Sequence, residues 1–170
     1  MRRGWVKRSG GVCFAVVAIA AAASCSRDSP QPYIRLDGPA PSIADVPATR
    51  ALLVSFWATW CVPCQAETSE LKALAAAPPR DLAVVIASHD QTMTAVEAFL
   101  GGTPDPTLHL RIDEDQRLAR AVNVATLPAS VLIVDGRLVA RFDGRRQWNS
   151  DAERGLLTRL IGERQQRATP

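Results

Sequence analysis

Two unbroken apolar runs, ALLVSFWA at 51–58 and LAVVIAS at 82–88, have the length and continuity of strands covered on both faces of a parallel sheet. Between them, PCQAETSELKALAAA (63–77) is built of helix formers and is stopped by Pro78-Pro79. TMTAVEAFL (92–100) reads as a second helix, capped by Thr92 or Thr94 and ended by Gly101-Gly102. LHLRID (108–113) is a weaker strand suited to a sheet edge, and EDQRLARAV (114–122) a short helix. In ASVLIVDGRLVARFDG (129–144) two apolar runs meet at Asp135-Gly136, which predicts a tight hairpin. DAERGLLTRLIGER (151–164) predicts an amphipathic helix with Leu156, Leu157, Leu160 and Ile161 inward. The order implies an α/β fold: a central mixed β-sheet flanked by helices on both faces, closed by a C-terminal β-hairpin plus helix. No internal repeat is visible.

The N-terminus breaks this alternation. MRRGWVKR is a positive segment and VCFAVVAIAAAA (12–23) an apolar one of signal-peptide length. AASC then ends on Cys25 and resembles a bacterial lipobox, with Ala22 where leucine is usual. Residues 1–25 are therefore expected to be a signal peptide of lipoprotein type, with Cys25 lipidated. Ordinary cleavage after the alanines, giving a soluble periplasmic protein, and an uncleaved single transmembrane anchor also fit. All three place the domain in the bacterial cell envelope, facing the oxidising periplasm. Residues 26–42, with Pro30, Pro32, Pro39 and Pro41, are expected to be a proline-rich linker, although Tyr33, Ile34 and Leu36 suit a short edge strand. The folded domain is expected over 43–165 and a tail over 166–170.

Charge changes little beyond this. The net charge of +3 comes from Arg2, Arg3, Lys7 and Arg8, leaving 16 basic against 17 acidic residues from Ser26 onward. With no basic stripe on the domain, nucleic acid is not an expected partner. The arginines of DGRRQW read as solvated surface. Hydrophobic residues at 47% and charged ones at 22% exclude a disordered chain.

With Cys13 in the apolar leader and Cys25 as the lipidation site, Cys61 and Cys64 are the thiols left to the domain. Cys61 falls at a strand-to-helix junction, with Pro63 in the first turn where proline is tolerated. A thiolate there faces unpaired N–H groups and the positive helix end, which lowers its pKa. Cys64 follows one turn later on the same face, so the sulfurs can close a disulfide. The first cysteine then acts as nucleophile, and the second resolves the mixed disulfide. A structural zinc site would need further ligands. His89 and His109 stand apart, read as surface or strand-end residues, and no metal site is expected. A purely structural bridge closing so small a loop would restrain the unfolded chain little.

FWATWCVPC, followed by Thr126-Leu127-Pro128 leading into a strand, resembles the thioredoxin superfamily. The likeness is closest to TlpA/ResA-like thiol-disulfide oxidoreductases and spans roughly 43–165. It implies a thioredoxin-like fold, catalysis by Cys61 and Cys64 without a cofactor, and a cis Leu127–Pro128 bond. Leu127, Pro128 and Trp60 would then form a substrate groove. It also implies a role for Glu67 in tuning the cysteine pKa values or relaying protons; a solvated first-turn glutamate is the simpler alternative. Ser55 stands where thioredoxins carry a buried aspartate, and Ser69 where the family often has a proline. The implied partners are proteins with thiols or disulfides, among them apocytochrome c or copper-site proteins, reduced at the expense of a membrane thiol donor of the DsbD/CcdA kind. A Cu(I) metallochaperone using both thiolates and a thiol peroxidase are the competing readings.

Overall fold

In a computed structural model, Met1 and residues 30–43, 46–102 and 105–168 are described. The leader, Cys13 and Cys25 lie outside the described residues. The elements are β1 (Ile34–Pro39), β2 (Ala51–Trp57), α1 (Val62–Ala76), β3 (Leu82–Ser88), α2 (Met93–Leu100), β4 (Leu108–Ile112), α3 (Arg117–Ala121), β5 (Ala129–Val134), β6 (Arg137–Asp143) and α4 (Asp151–Ala168). They form a six-stranded sheet in the order β1-β6-β5-β2-β3-β4. β3 runs parallel to β2 and β4, whereas β5 is antiparallel to β2 and to β6. The mixed sheet is the expected one, with β4 at one edge.

Two boundaries differ from expectation. The proline-rich linker is shorter than 26–42, because Ile34–Pro39 pairs antiparallel with β6. The outer edge of β6 offers unpaired backbone groups that an extended segment satisfies, and Tyr33 packs its ring 5.8 Å from that of Phe142. At the other end α4 runs to Ala168, into the expected tail.

Strand alternation sorts the core into two layers. Leu53, Trp57, Val84, Ile86 and Leu132 point to the side covered by α1, α2 and α4, where Leu71, Val96, Leu156 and Leu160 meet them. Val54, Phe56, Val85, Ala87 and Val131 point to the other side. There α3 contributes Ala119, and Ile43 and Val46 complete the cover. Among the described residues helices thus lie on both faces, three against one. The hairpin turns at Asp135 (φ 50°) and Gly136 (φ 72°), the left-handed pair that such a turn requires.

Candidate active site

β2 ends at Trp57, and Ala58–Trp60 carry the chain to Cys61, the N-cap of α1. Cys61 and Cys64 form a disulfide with Cα atoms 5.2 Å apart. The Cys64 N–H donates to Cys61 Sγ at 3.3 Å, so the first sulfur occupies the place of a capping oxygen. Pro63, lacking an N–H, removes one of the unpaired donors of the first turn. The Trp57 indole Nε1 donates to Cys64 O (2.9 Å) and to Thr68 Oγ1 (3.2 Å), pinning the first turns of α1 to the sheet. Cys61 retains 7% of its surface and Cys64 none, while Trp60 and Val62 stand out into solvent. Of the two sulfur-bearing residues, Cys61 alone keeps any exposed surface.

Leu127–Pro128 is a cis peptide bond. Pro128 immediately precedes Ala129, which is paired with Phe56 near the end of β2, so the proline lies at the same end of the sheet as the disulfide. Leu127 packs against both core layers.

Glu67 is not a solvated glutamate. It lies one turn beyond Cys64 and is fully buried. Its Oε1 accepts from the Arg146 N–H (2.9 Å) and from Trp148 Nε1 (2.7 Å), whereas Oε2 is buried without a partner. Burial pushes its pKa up to about 7, against the opposing pull of those two donors and of the Arg146 and Arg145 charges. Ser55 is likewise buried, with Oγ unpartnered, in register with Ser130 on β5. The place where thioredoxins hold an acid is thus neutral, and the buried carboxylate near the cysteines comes from α1.

Arg146 departs from the solvated surface expected for DGRRQW, although Arg145 is exposed as expected. Its side chain is fully enclosed, pairs with Glu153 (2.8 Å) and donates to the carbonyls of Gln31 (2.8 Å) and Pro32 (2.9 Å). The guanidinium lies over the rings of Phe142 and Trp148. His89 follows β3 directly, the strand-end position expected, but it is buried there: its side chain is 6% exposed and stacks edge-on against Phe56. Sequence reasoning passed over Asp90, which accepts from Thr59 N, Thr59 Oγ1 and Ser88 Oγ and so braces the segment leading to Cys61. Its signal was position: acids at the carboxyl ends of parallel strands line the crevice where open α/β sheets bind ligands. Trp148 was missed too; a lone tryptophan after the hairpin was the available hint. Among the described residues no three His, Cys, Asp or Glu side chains converge on a metal site, and no helix is long and apolar enough to cross a membrane.

The Redoxin family profile matches residues 21–156. The chain belongs to the Redoxin family. It is 29% identical over 101 residues to the thiol-disulfide oxidoreductase ResA of Bacillus thuringiensis (strain Al Hakam), covering 57% of each chain. The match thus spans little more than half of ResA. Thioredoxin of Chlamydia muridarum (strain MoPn / Nigg) is 32% identical over 124 residues, 73% of this chain and 92% of that one. StoA from Bacillus subtilis superposes with a TM-score of 0.52 at 18% identity, covering 76% of this chain and 98% of its own. The thioredoxin-like fold and the TlpA/ResA-like likeness both hold.

Proposed function

We propose that this chain is a thiol-disulfide oxidoreductase acting on cysteines of partner proteins, in the reducing direction, at the periplasmic side of a bacterial membrane. The observation that carries the reading is the asymmetry of the pair: Cys61 caps α1 at the rim, while Cys64 is sealed beneath it. In the dithiol form the Cys61 thiolate attacks a partner disulfide, forming a Cys61–partner bond and releasing one partner thiolate, which takes up a proton. Cys64, deprotonated, then attacks Cys61 Sγ, closes the Cys61–Cys64 bond and releases the second partner thiolate. Two electrons pass to the partner, and a donor dithiol returns them. With Ser55 in place of an acid, buried Glu67 is the group at hand to take the Cys64 proton, its pKa of about 7 suiting exchange near neutral pH.

Leu127, cis-Pro128 and exposed Trp60 would flank the incoming chain, whose backbone can pair beside the proline. The location rests on the leader and its lipobox-like Cys25, and lipidation there would hold the domain at the membrane. A donor of the DsbD/CcdA kind, and apocytochrome c or copper-site thiols as targets, follow from the TlpA/ResA resemblance. Replacing Cys64→Ser in the native host tests the reading. Mixed disulfides through Cys61 should accumulate and be identified by mass spectrometry. Recovery of no trapped partner, with Cys61 unreactive to alkylation at neutral pH, would refute it. A reduction potential well below that of the periplasmic oxidant would support the reducing direction.

A further inference from the structure

On the β3 and β4 side of the disulfide lies a groove of about 570 Å3, bordered by Trp60, His89, Asp90, Thr92 and Glu114. It forms where three strands end: Trp60 follows β2, His89 to Thr92 link β3 to α2, and Glu114 follows β4. Pro128 leads into β5, on the opposite flank of β2. A polypeptide laid across Cys61 therefore meets the proline on one side and this groove on the other.

The chemistry of the lining is one-sided. Asp90 is 6% exposed, with Oδ1 accepting from Thr59 Oγ1 and Oδ2 accepting from Thr59 N and Ser88 Oγ. Burial alone would raise its pKa, yet the hydrogen bonds from Ser88 and Thr59 hold it below the ordinary carboxylate value, so it is an anion at neutral pH. Glu114 adds an exposed carboxylate at the lip. His89 lines the groove with a buried Nε2 that has no hydrogen-bond partner; the nearest carboxylate oxygen, on Asp113, is 3.8 Å away. Burial, opposed by Asp113 and Asp90, draws the imidazole below its ordinary pKa, so it is an uncharged group in search of a partner. Among the described residues that line the groove none is lysine or arginine. Trp60, 65% exposed, presents its indole at the rim.

We propose that this groove is a substrate subsite for a basic side chain, arginine or lysine, carried by the partner polypeptide beside the cysteine that Cys61 attacks. Two carboxylates would attract the cation, and the Trp60 ring would stack on it. An acidic residue at the same point would face Asp90 and Glu114 and be repelled. The inference rests on the oxidoreductase reading and adds a substrate class to it.

The test is single-turnover reduction of synthetic disulfide peptides by the pre-reduced full-length protein, followed by tryptophan fluorescence. The peptides differ only in carrying Arg, Gln or Glu within two residues of the target cysteine. The Arg peptide should react roughly tenfold faster than the Glu peptide, the combined effect of an ion pair and a ring contact. Raising salt to about 0.5 M should collapse most of that ratio. Glu114→Lys, at an exposed position, should bring the ratio to one or below it. Equal rates for all three peptides would overturn the subsite while leaving the oxidoreductase reading intact, as would a ratio that Glu114→Lys leaves unchanged. Failure to reduce any peptide would instead refute the oxidoreductase reading.

Discussion

Glu67 makes the stability of the fold depend on pH in a direction opposite to that of most carboxylates. In the unfolded chain it titrates near the ordinary value of 4.5, and in the fold near 7. Between these values the native state keeps a proton that the unfolded chain has released, so raising the pH through this window weakens the fold. The stability is fully present below pH 4.5 and is lost as the pH passes about 7. At roughly 1.4 kcal/mol per pH unit, the gap corresponds to about 3 kcal/mol. Glu67→Gln isolates this contribution. The amide oxygen can still accept from the Arg146 N–H and Trp148 Nε1, and the amide nitrogen replaces Oε2, which has no partner. Any constant cost of burying that nitrogen does not vary with pH. His89 and His109, both held below the ordinary histidine value mainly by burial, add an opposing trend near pH 6.5. They act equally in both proteins and cancel in the difference. Denaturant unfolding of the oxidised forms between pH 4.5 and 8, where no thiol titrates, gives the two stability curves. The wild-type advantage over Glu67→Gln should shrink by about 3 kcal/mol across that range. A difference that stays flat to within about 1 kcal/mol would refute the assignment of a raised proton affinity to this buried carboxyl.

In the reduced protein, the pH profile of Cys61 alkylation should carry an inflection near pH 7 that Glu67→Gln removes; an unchanged profile would separate Glu67 from the thiols. Arg146→Met should cost about 3–5 kcal/mol, because it strands the buried Glu153 carboxylate. Thermal unfolding should fall by roughly 10 °C and recover largely on adding Glu153→Leu, whereas a single variant as stable as the wild type would show that the pair contributes nothing.

The elements inside the domain were legible because each is specified locally. Buried strands announce themselves as unbroken apolar runs, α1 as a run of helix formers stopped by prolines, and the hairpin by Asp135-Gly136. The redox pair was legible for the same reason, since Cys61, Pro63 and Cys64 sit within one helical turn. What escaped depends on distant partners. β1 was legible only as an alternative to linker, because the choice is made by pairing with β6, about a hundred residues onward. Arg146 looks like a surface arginine by type, and only the convergence of Glu153 with the carbonyls of Gln31 and Pro32 makes its burial affordable. Glu67 could be placed near the cysteines by helical spacing, but its burial required Trp148, eighty-one residues away.

Arg146 shows why the N-terminal segment and the redox site form one unit. Its two roles are carried by different atoms: the backbone N–H holds Glu67 Oε1, and the guanidinium grips Gln31, Pro32 and Glu153. The Gln31 N–H in turn donates to Glu153 Oε1 at 3.0 Å, closing a ring of contacts around the buried ion pair. The loop that fixes the Glu67 proton is therefore clamped from behind by the segment that enters the domain. The backbone bond does not need the guanidinium, but it needs the loop in place. A variant that repacks the ion pair with apolar side chains should keep the Glu67 hydrogen bonds and lose only the attraction of the Arg146 charge, whereas one that breaks the clamp loosens both. The proton affinity beside Cys64 is thus set mainly by burial, and burial is set by packing that begins at Gln31.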